Sequence, residues 1–150
     1  MRDSRIGAMG VIALVLLLAL KGAALLTLPG AQLWRVLVLM PLTGRVGIQL
    51  MLAILPYARP EGGLATVFFT DARRWALLPG IGLLAVVAWF AAGDVGLASG
   101  LLALLLLLPF ALFCYGKIGG ATGDTLGAAC ELGETLLAVA YAVITSNSLQ

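Results

Sequence analysis

Three of the seven acidic residues in this 150-residue chain lie close together near its C-terminus, at and after a glycine-rich turn. The turn, GKIGGATGD, covers residues 116–124 and is called the glycine turn below; the apolar segment that follows it carries Glu131 and Glu134. A carboxylate inside an apolar segment is costly to place in a membrane and marks a functional site by default. Carboxylates beside a glycine turn can bind a phosphate group together with its metal ion.

A helix that begins at the end of the glycine turn brings the three carboxylates to one side. At about 100° per residue, Asp124, Glu131 and Glu134 fall within roughly 80° of one another. Glu131 lies about 10 Å along the helix axis from Asp124. We therefore expect Asp124 and Glu131 to bind Mg²⁺ or to act as catalytic carboxylates, with Glu134 as a weaker candidate.

The backbone of the glycine turn is a predicted phosphate cradle, because N–H groups at a helix N-terminus attract anions. The residues that we expect to form the cradle are Gly119, Gly120, Thr122 and Gly123. Spacing of four between Gly119, Gly123 and Gly127 also fits close packing of two helices, and this alternative stays open. The segment is not a Walker P-loop, because neither Ser nor Thr follows its Gly-Lys pair.

Cations in several segments could complete such a site. Arg5 in DSRIG, Arg59 in PYARPEGG and Lys117 in the glycine turn are predicted to contact phosphate. Arg45 lies near the middle of an apolar segment; because an arginine at that depth must face protein or water, we expect it to be buried and to bind substrate. Asp3 could bind metal or pair with Arg5, and the sequence favours neither role.

The composition places these residues in a membrane. The chain is 62% hydrophobic and 11% charged, whereas soluble domains are about 45–50% apolar and about 25% charged. The net charge of +2 comes without a polybasic run, which argues against nucleic acid as a partner. The chain has no histidine, so catalysis would depend on carboxylates, lysine, arginine or hydroxyls. Cys114 and Cys130 are interpreted as buried apolar side chains.

Five apolar segments are candidates for membrane-spanning helices. They are residues 8–28, 33–55, 76–92, 95–115 and 125–144. The predicted fold is an all-α polytopic integral membrane protein of about five transmembrane helices, in a single domain covering residues 1–150. We expect a kink at Pro41, a turn at Gly93-Asp94, and a Lys21 side chain that extends to the membrane interface. The distribution of Lys and Arg among the loops places the N-terminus and the glycine turn in the cytoplasm and the C-terminus outside.

Taken together, these segments resemble one family, cobalamin synthase, also called adenosylcobinamide-GDP ribazoletransferase. The matching segments are MRDSRIGAMGVIALVLLLALK, Gly44-Arg45, PYARPEGGLA and GGATGDTLGAACELGE. The resemblance implies a multi-pass enzyme of the bacterial inner (plasma) membrane in vitamin B12 biosynthesis. It would join α-ribazole or its 5′-phosphate to adenosylcobinamide-GDP and release GMP, with Mg²⁺ as cofactor. Asp124, Glu131 and Lys117 would then be catalytic, and Asp3 would join the first two as a metal ligand.

The chain departs from the family at its start. In the family an acidic motif of the type DGLADxxDG precedes DSRIG, whereas here Met1 stands where an internal methionine is expected. We therefore expect a truncated sequence that lacks the N-terminal part of the family. Two other interpretations stay open: a small transporter or channel subunit whose acidic stripe carries ions, and an inactive fragment of the synthase. The sequence also leaves open whether the chain forms a homo-oligomer.

Overall fold

The computed structural model describes residues 8–58 and 73–147, and most of these residues are helical. The helices are α1 (Ala8–Leu26), α2 (Gly30–Ile54), α3 (Arg73–Ile118) and α4 (Gly123–Asn147). Within the two described ranges no strand forms, and one isolated bridge joins Tyr57 to Ala121. The prediction of an all-α fold is confirmed. Asp3, Arg5 and Arg59 lie outside the described residues.

Helix α3 consists of two arms joined at Gly93. The backbone of Gly93 has φ 58° and ψ −138°, a conformation that is accessible to glycine and strained for residues with a Cβ atom. The arms, residues 73–92 and 94–118, fold back against each other: a Cβ atom at Gly96 would lie 2.5 Å from the Ala88 carbonyl oxygen, and one at Gly100 would touch Leu84. The turn predicted at residues 93–94 is confirmed.

Helix α2 lies at the centre of the structure and packs against both α3 and α4. Its side chains Val36, Leu39, Val46 and Met51 are almost completely buried. The helix is continuous from Gly30 to Ile54, so the kink predicted at Pro41 does not divide it. This central helix gives the other elements a fixed surface to pack on.

The outer surface of the helices is strongly apolar. Large hydrophobic side chains are exposed on several helices, for example Leu16 (63%), Phe90 (84%) and Leu112 (72%). Soluble proteins rarely expose a continuous surface of this kind, whereas lipid chains would cover it without cost. Three helical stretches in the described ranges are long and apolar enough to cross a bilayer: Gly30–Ile54, Trp75–Ile118 and Gly123–Asn147. The apolar helix Gly10–Leu26 is shorter.

Helix α1 is the least embedded of the helices. Among its described residues only Ala24 is fully buried, and most of its large apolar side chains face outward. Its principal neighbour is α4. Because little apolar packing holds α1 in place, a polar contact near its C-terminal end has a large influence on its position.

Candidate functional site

The glycine turn begins where α3 ends. Gly119 has φ 75°, and its N–H donates a hydrogen bond to the Tyr115 carbonyl at 2.9 Å. This is a C-terminal helix cap in the left-handed conformation, which glycine adopts without steric cost. Gly119 is a predicted member of the phosphate cradle. Its N–H is instead bound to the Tyr115 carbonyl at the C-terminus of α3.

The middle of the turn is fixed to the chain that follows α2. The Ala121 N–H donates to the Pro56 carbonyl at 2.8 Å, and the Ala58 N–H donates to the Ala121 carbonyl at 3.0 Å. Gly120 is buried between them, and a Cβ atom there would overlap the Pro56 carbonyl group and approach the Ala58 nitrogen to 3.3 Å. The close approach of two backbones explains why position 120 has no side chain.

Thr122 caps the N-terminus of α4. Its N–H donates to Thr125 Oγ1 at 2.8 Å, and its own Oγ1 accepts a longer hydrogen bond from the Thr125 N–H at 3.4 Å. This reciprocal arrangement is the capping box, here with threonine at both positions. The N–H groups of Gly119, Ala121, Thr122 and Thr125 are thus all bound inside the protein. A phosphate cradle in this turn would have to use its remaining N–H groups.

Two charged residues lie at the ends of the glycine turn. Asp124 is exposed in the first turn of α4, and Lys117 is exposed in the last turn of α3. Each charge has the sign that the adjacent helix dipole favours, so both also stabilise the helix ends. Gly123, between Thr122 and Asp124, is exposed as well. The exposed part of the turn therefore carries one anionic and one cationic side chain beside a helix N-terminus, where an anion can bind.

A second polar group lies deeper in the helices. Lys21 Nζ donates to Glu131 Oε2 at 2.7 Å and to Glu134 Oε2 at 2.9 Å. The side chains are 13% exposed for Lys21, 43% for Glu131 and 17% for Glu134. Two carboxylates on α4 hold the Lys21 ammonium group, whereas its predicted extension to the membrane interface stays a prediction.

Arg45 joins the same group through a thiol. Arg45 Nη1 donates to Cys130 Sγ at 3.1 Å, and the Cys130 thiol lies 3.8 Å from Glu134 Oε1. The prediction that Arg45 is buried is wrong, since its side chain is exposed, but its guanidinium does contact protein. We call Lys21, Arg45, Cys130, Glu131 and Glu134 the charged cluster. It contains two cations and two carboxylates.

Small residues let α2 approach α4 beside the charged cluster. A Cβ atom at Gly44 would lie 2.9 Å from Cys130 Sγ and 3.0 Å from Glu134 Cγ. A Cβ atom at Gly133 would lie 3.5 Å from the Gly44 Cα, whereas one at Gly127 would have no neighbour within 4 Å. Close helix packing therefore uses Gly44 and Gly133, and the open surroundings of Gly127 do not fit the packing alternative for the glycines at spacing four.

The described carboxylates do not by themselves form a metal site. In residues 8–58 and 73–147, no three acidic or cysteine side chains are arranged to hold an ion. Glu131, a predicted ligand, has Oε2 bound to the ammonium of Lys21. Asp124 lies about 10 Å away along the helix axis. The assignment of Mg²⁺ to Asp124, Glu131 and Asp3 stays a prediction.

Two residues of the charged cluster were missed from the sequence. The position of Lys21 near the end of an apolar segment predicts an interfacial residue, although a lysine inside an apolar helix also predicts a carboxylate partner in the protein. Cys130 was interpreted as an apolar side chain, although it lies four residues before Glu134 and therefore on the same face of the helix. These two signals, taken together, could have indicated the cluster.

The fold and these contacts define a class: a helical protein of membrane type whose polar site extends from a glycine turn into the helix interior. Comparison with known families gives a more specific result. The family model described as Cobalamin-5-phosphate synthase matches residues 1–142, and the chain belongs to this family.

Individual relatives agree with the family assignment. The chain is 41% identical over 142 residues to an adenosylcobinamide-GDP ribazoletransferase of Syntrophobacter fumaroxidans, a match that covers 95% of this chain and 57% of the relative. Relatives of the same name from Acetivibrio thermocellus and Clostridium acetobutylicum are 33% and 36% identical, over 94% and 96% of the chain. The chain spans less than three fifths of the length of these relatives. No solved structure matches the chain.

Proposed function

We propose that the chain acts in the transfer that joins α-ribazole, or its 5′-phosphate, to adenosylcobinamide-GDP with release of GMP. Its family and the name shared by its relatives support a transferase of cobalamin biosynthesis. The observation that carries the proposal is the capped start of α4, where an exposed carboxylate and an exposed ammonium flank a helix N-terminus. Such a helix start is suited to one diphosphate group of a large substrate.

The proposed reaction is a phosphoryl transfer. A hydroxyl oxygen of ribazole bonds to the phosphorus that carries cobinamide, the bond from this phosphorus to the GMP oxygen breaks, and the hydroxyl proton is released. Such reactions depend mainly on positioning and on neutralisation of charge. We assign the diphosphate to Lys117 and the start of α4, and the released proton to Asp124. In the alternative role, Asp124 would hold Mg²⁺, which would offset phosphate charge.

The arginines have supporting roles in this proposal. Arg45 bonds to Cys130 through Nη1 and is exposed, so its other N–H groups can reach a phosphate or another anionic group of a substrate. Arg5 and Arg59 stay predicted phosphate contacts. Glu131 would act next to this site, with its position fixed by Lys21.

We also propose five membrane crossings in the inner membrane, with the N-terminus and the glycine turn in the cytoplasm and the C-terminus outside. The stretch Trp75–Ile118 has 44 residues, about 66 Å of helix, which is twice the thickness of the hydrocarbon layer. The break at Gly93 and the antiparallel contact of the two arms support two crossings there. With α1, α2 and α4, the total is five.

The contacts of the charged cluster argue against a transporter or channel subunit. An ion path along α4 would require acidic side chains that are open to ions. In the described structure Lys21 bridges the two inner carboxylates, and Cys130 lies against one of them. Glu131 and Glu134 are therefore paired with groups of the protein itself.

Substitution of Asp124 tests the proposed reaction. Asp124→Asn should lower the rate of cobalamin formation by at least about 100-fold, because a carboxylate that accepts a proton contributes at least that much. The matched control is Asp94→Asn, the same change at another exposed carboxylate. Asp94 lies next to the turn at Gly93, about 36 Å along α3 from the glycine turn. The control should keep the full rate.

Two measurements are made on each chain. Cobalamin formation is measured in a bacterial strain that lacks its own synthase, and retention of adenosylcobinamide-GDP by the purified chain is measured from the visible absorption of the corrinoid. The unsubstituted chain should retain the corrinoid. A chain that neither forms cobalamin nor retains the corrinoid would contradict the proposal, as would equal rates for the two aspartate variants.

A further inference from the structure

Lys21 has two carboxylate partners, both on α4. The two hydrogen bonds, at 2.7 Å to Glu131 and 2.9 Å to Glu134, use the Oε2 atom of each carboxylate. The two glutamates are three residues apart on one helix, so without a cation between them their charges repel. The other cation of the cluster, Arg45, reaches Glu134 through the Cys130 thiol, where the contact is longer at 3.8 Å. Lys21 therefore makes the shortest contacts to both carboxylates.

We infer that Lys21 is the resident cation of Glu131 and Glu134, and that this carboxylate pair binds an ammonium group in place of a metal ion. Lys21 is a positioning residue: it fixes both carboxylates and, through them, the place of α1 on α4. Mg²⁺ needs oxygen ligands at 2.0–2.1 Å in octahedral geometry. An ammonium nitrogen within hydrogen-bond distance of both Oε2 atoms occupies the space that such an ion would need.

The position of α1 gives a second reason for this role. Ala24 is the only fully buried side chain among the described residues of α1, and it lies less than one turn from Lys21. The packing of α1 thus combines one buried alanine and the partly buried Leu25 with two short ion pairs to α4. Burial of one methyl group is worth only about 0.8 kcal/mol, and Leu25 is buried only in part. The inference goes beyond the proposed reaction and does not depend on any substrate.

Thermal unfolding of the complete chain in detergent tests the inference. The variants are Lys21→Met, which removes the cation, Lys21→Arg, which keeps it, and Lys21→Met combined with Glu134→Gln, which also removes one carboxylate. Each is measured with a chelator and with millimolar MgCl₂ or MnCl₂. Lys117→Met is the control, because it removes an exposed lysine that lies outside the cluster.

With the chelator, Lys21→Met should lower Tm by about 5–10 °C, because it leaves two partly buried carboxylates without their cation. The double variant should recover at least half of that loss, and Lys21→Arg should lose less than Lys21→Met. The divalent ions should raise the Tm of Lys21→Met more than that of the unsubstituted chain, because the released carboxylates become metal ligands. Lys117→Met should lower Tm by no more than about 3 °C, because it loses only the interaction with the C-terminal dipole of α3.

Three results would overturn the inference. The first is a Tm for Lys21→Met equal to that of the unsubstituted chain. The second is a double variant no more stable than Lys21→Met. The third is a metal-induced rise in the Tm of the unsubstituted chain that Glu131→Gln abolishes. If Lys21→Met does not fold, recovery of folded protein from membranes replaces Tm, and the double variant should give more folded protein than the single one.

Discussion

The glycine turn and the charged cluster lie about two helical turns apart along α4 and are held together in different ways. The glycine turn is fixed by two local backbone hydrogen bonds, two backbone hydrogen bonds to residues 56–58, and the capping bonds between Thr122 and Thr125. The charged cluster is fixed by side chains from α1, α2 and α4, with partners 85 to 113 positions apart. A short segment of sequence can indicate the first kind of site. The second kind exists only once the helices have packed.

The two regions should therefore respond to different changes. Added volume is most harmful where two backbones are in contact, as at Gly120. A change of charge is most harmful where few other groups can neutralise the charges that remain, as at Lys21, which pairs with two carboxylates. Substitutions that add a single methyl group, or remove a single hydroxyl, test the two regions without a change of charge.

The largest effect of such a change is expected at Gly120. Gly120→Ala should lower the free energy of unfolding by about 3 kcal/mol, because its Cβ atom would overlap the Pro56 carbonyl and neither backbone can move easily. Gly116→Ala is the matched control, since a Cβ atom there has no neighbour within 4 Å. The control should be more stable by about 0.5–1 kcal/mol, as is usual for alanine within a helix. Unfolding by denaturant in detergent gives both values, and equal values would show that the turn is not held against residues 56–58.

A smaller effect is expected where α2 meets the charged cluster. Gly44→Ala should cost about 2 kcal/mol, because its Cβ atom would lie 3.0 Å from the Cys130 carbonyl oxygen and equally close to Glu134 Cγ. The cost is below that at Gly120 because the Cys130 and Glu134 side chains can shift. Gly127→Ala, on the same helix as Cys130 but with open space around it, should be neutral or slightly stabilising. The same unfolding measurement applies, and a stable Gly44→Ala chain would contradict the close approach of α2 and α4.

The smallest effect is expected at the cap of α4. Thr122→Ala removes the hydroxyl that accepts a hydrogen bond from the Thr125 N–H and should cost about 1 kcal/mol. Thr122→Ser keeps the hydroxyl and should lose only a few tenths of a kcal/mol. Thermal unfolding of the two variants side by side measures the difference. If serine and alanine are equally harmful, the methyl group of Thr122 and not its hydroxyl is what the turn requires.

Much of the helical architecture could be predicted from the sequence, because apolar segments and the residues that interrupt them are local signals. The turn at Gly93 and the start of α4 near Asp124 were found in this way, and the helix begins at Gly123. The partner of Glu131 was not found, because Lys21 lies 110 positions away: its surroundings predict a carboxylate partner but not which one. The exposure of Arg45 was missed for the same reason: the depth of a residue along a helix does not determine which side of the helix it faces.

The pairing of Lys21 with Glu131 also has a consequence for biosynthesis. The lysine is translated 110 residues before its first partner. Protein synthesis adds about 5–20 residues per second. The interval between the emergence of Lys21 and that of Glu131 from the ribosome is therefore roughly 6–20 s. During this interval α1 is an apolar helix with an uncompensated charge, which the insertion machinery or the lipid head groups must accommodate. In the proposed arrangement of five crossings, release of α1 into the lipid would therefore be delayed until α4 has been synthesised.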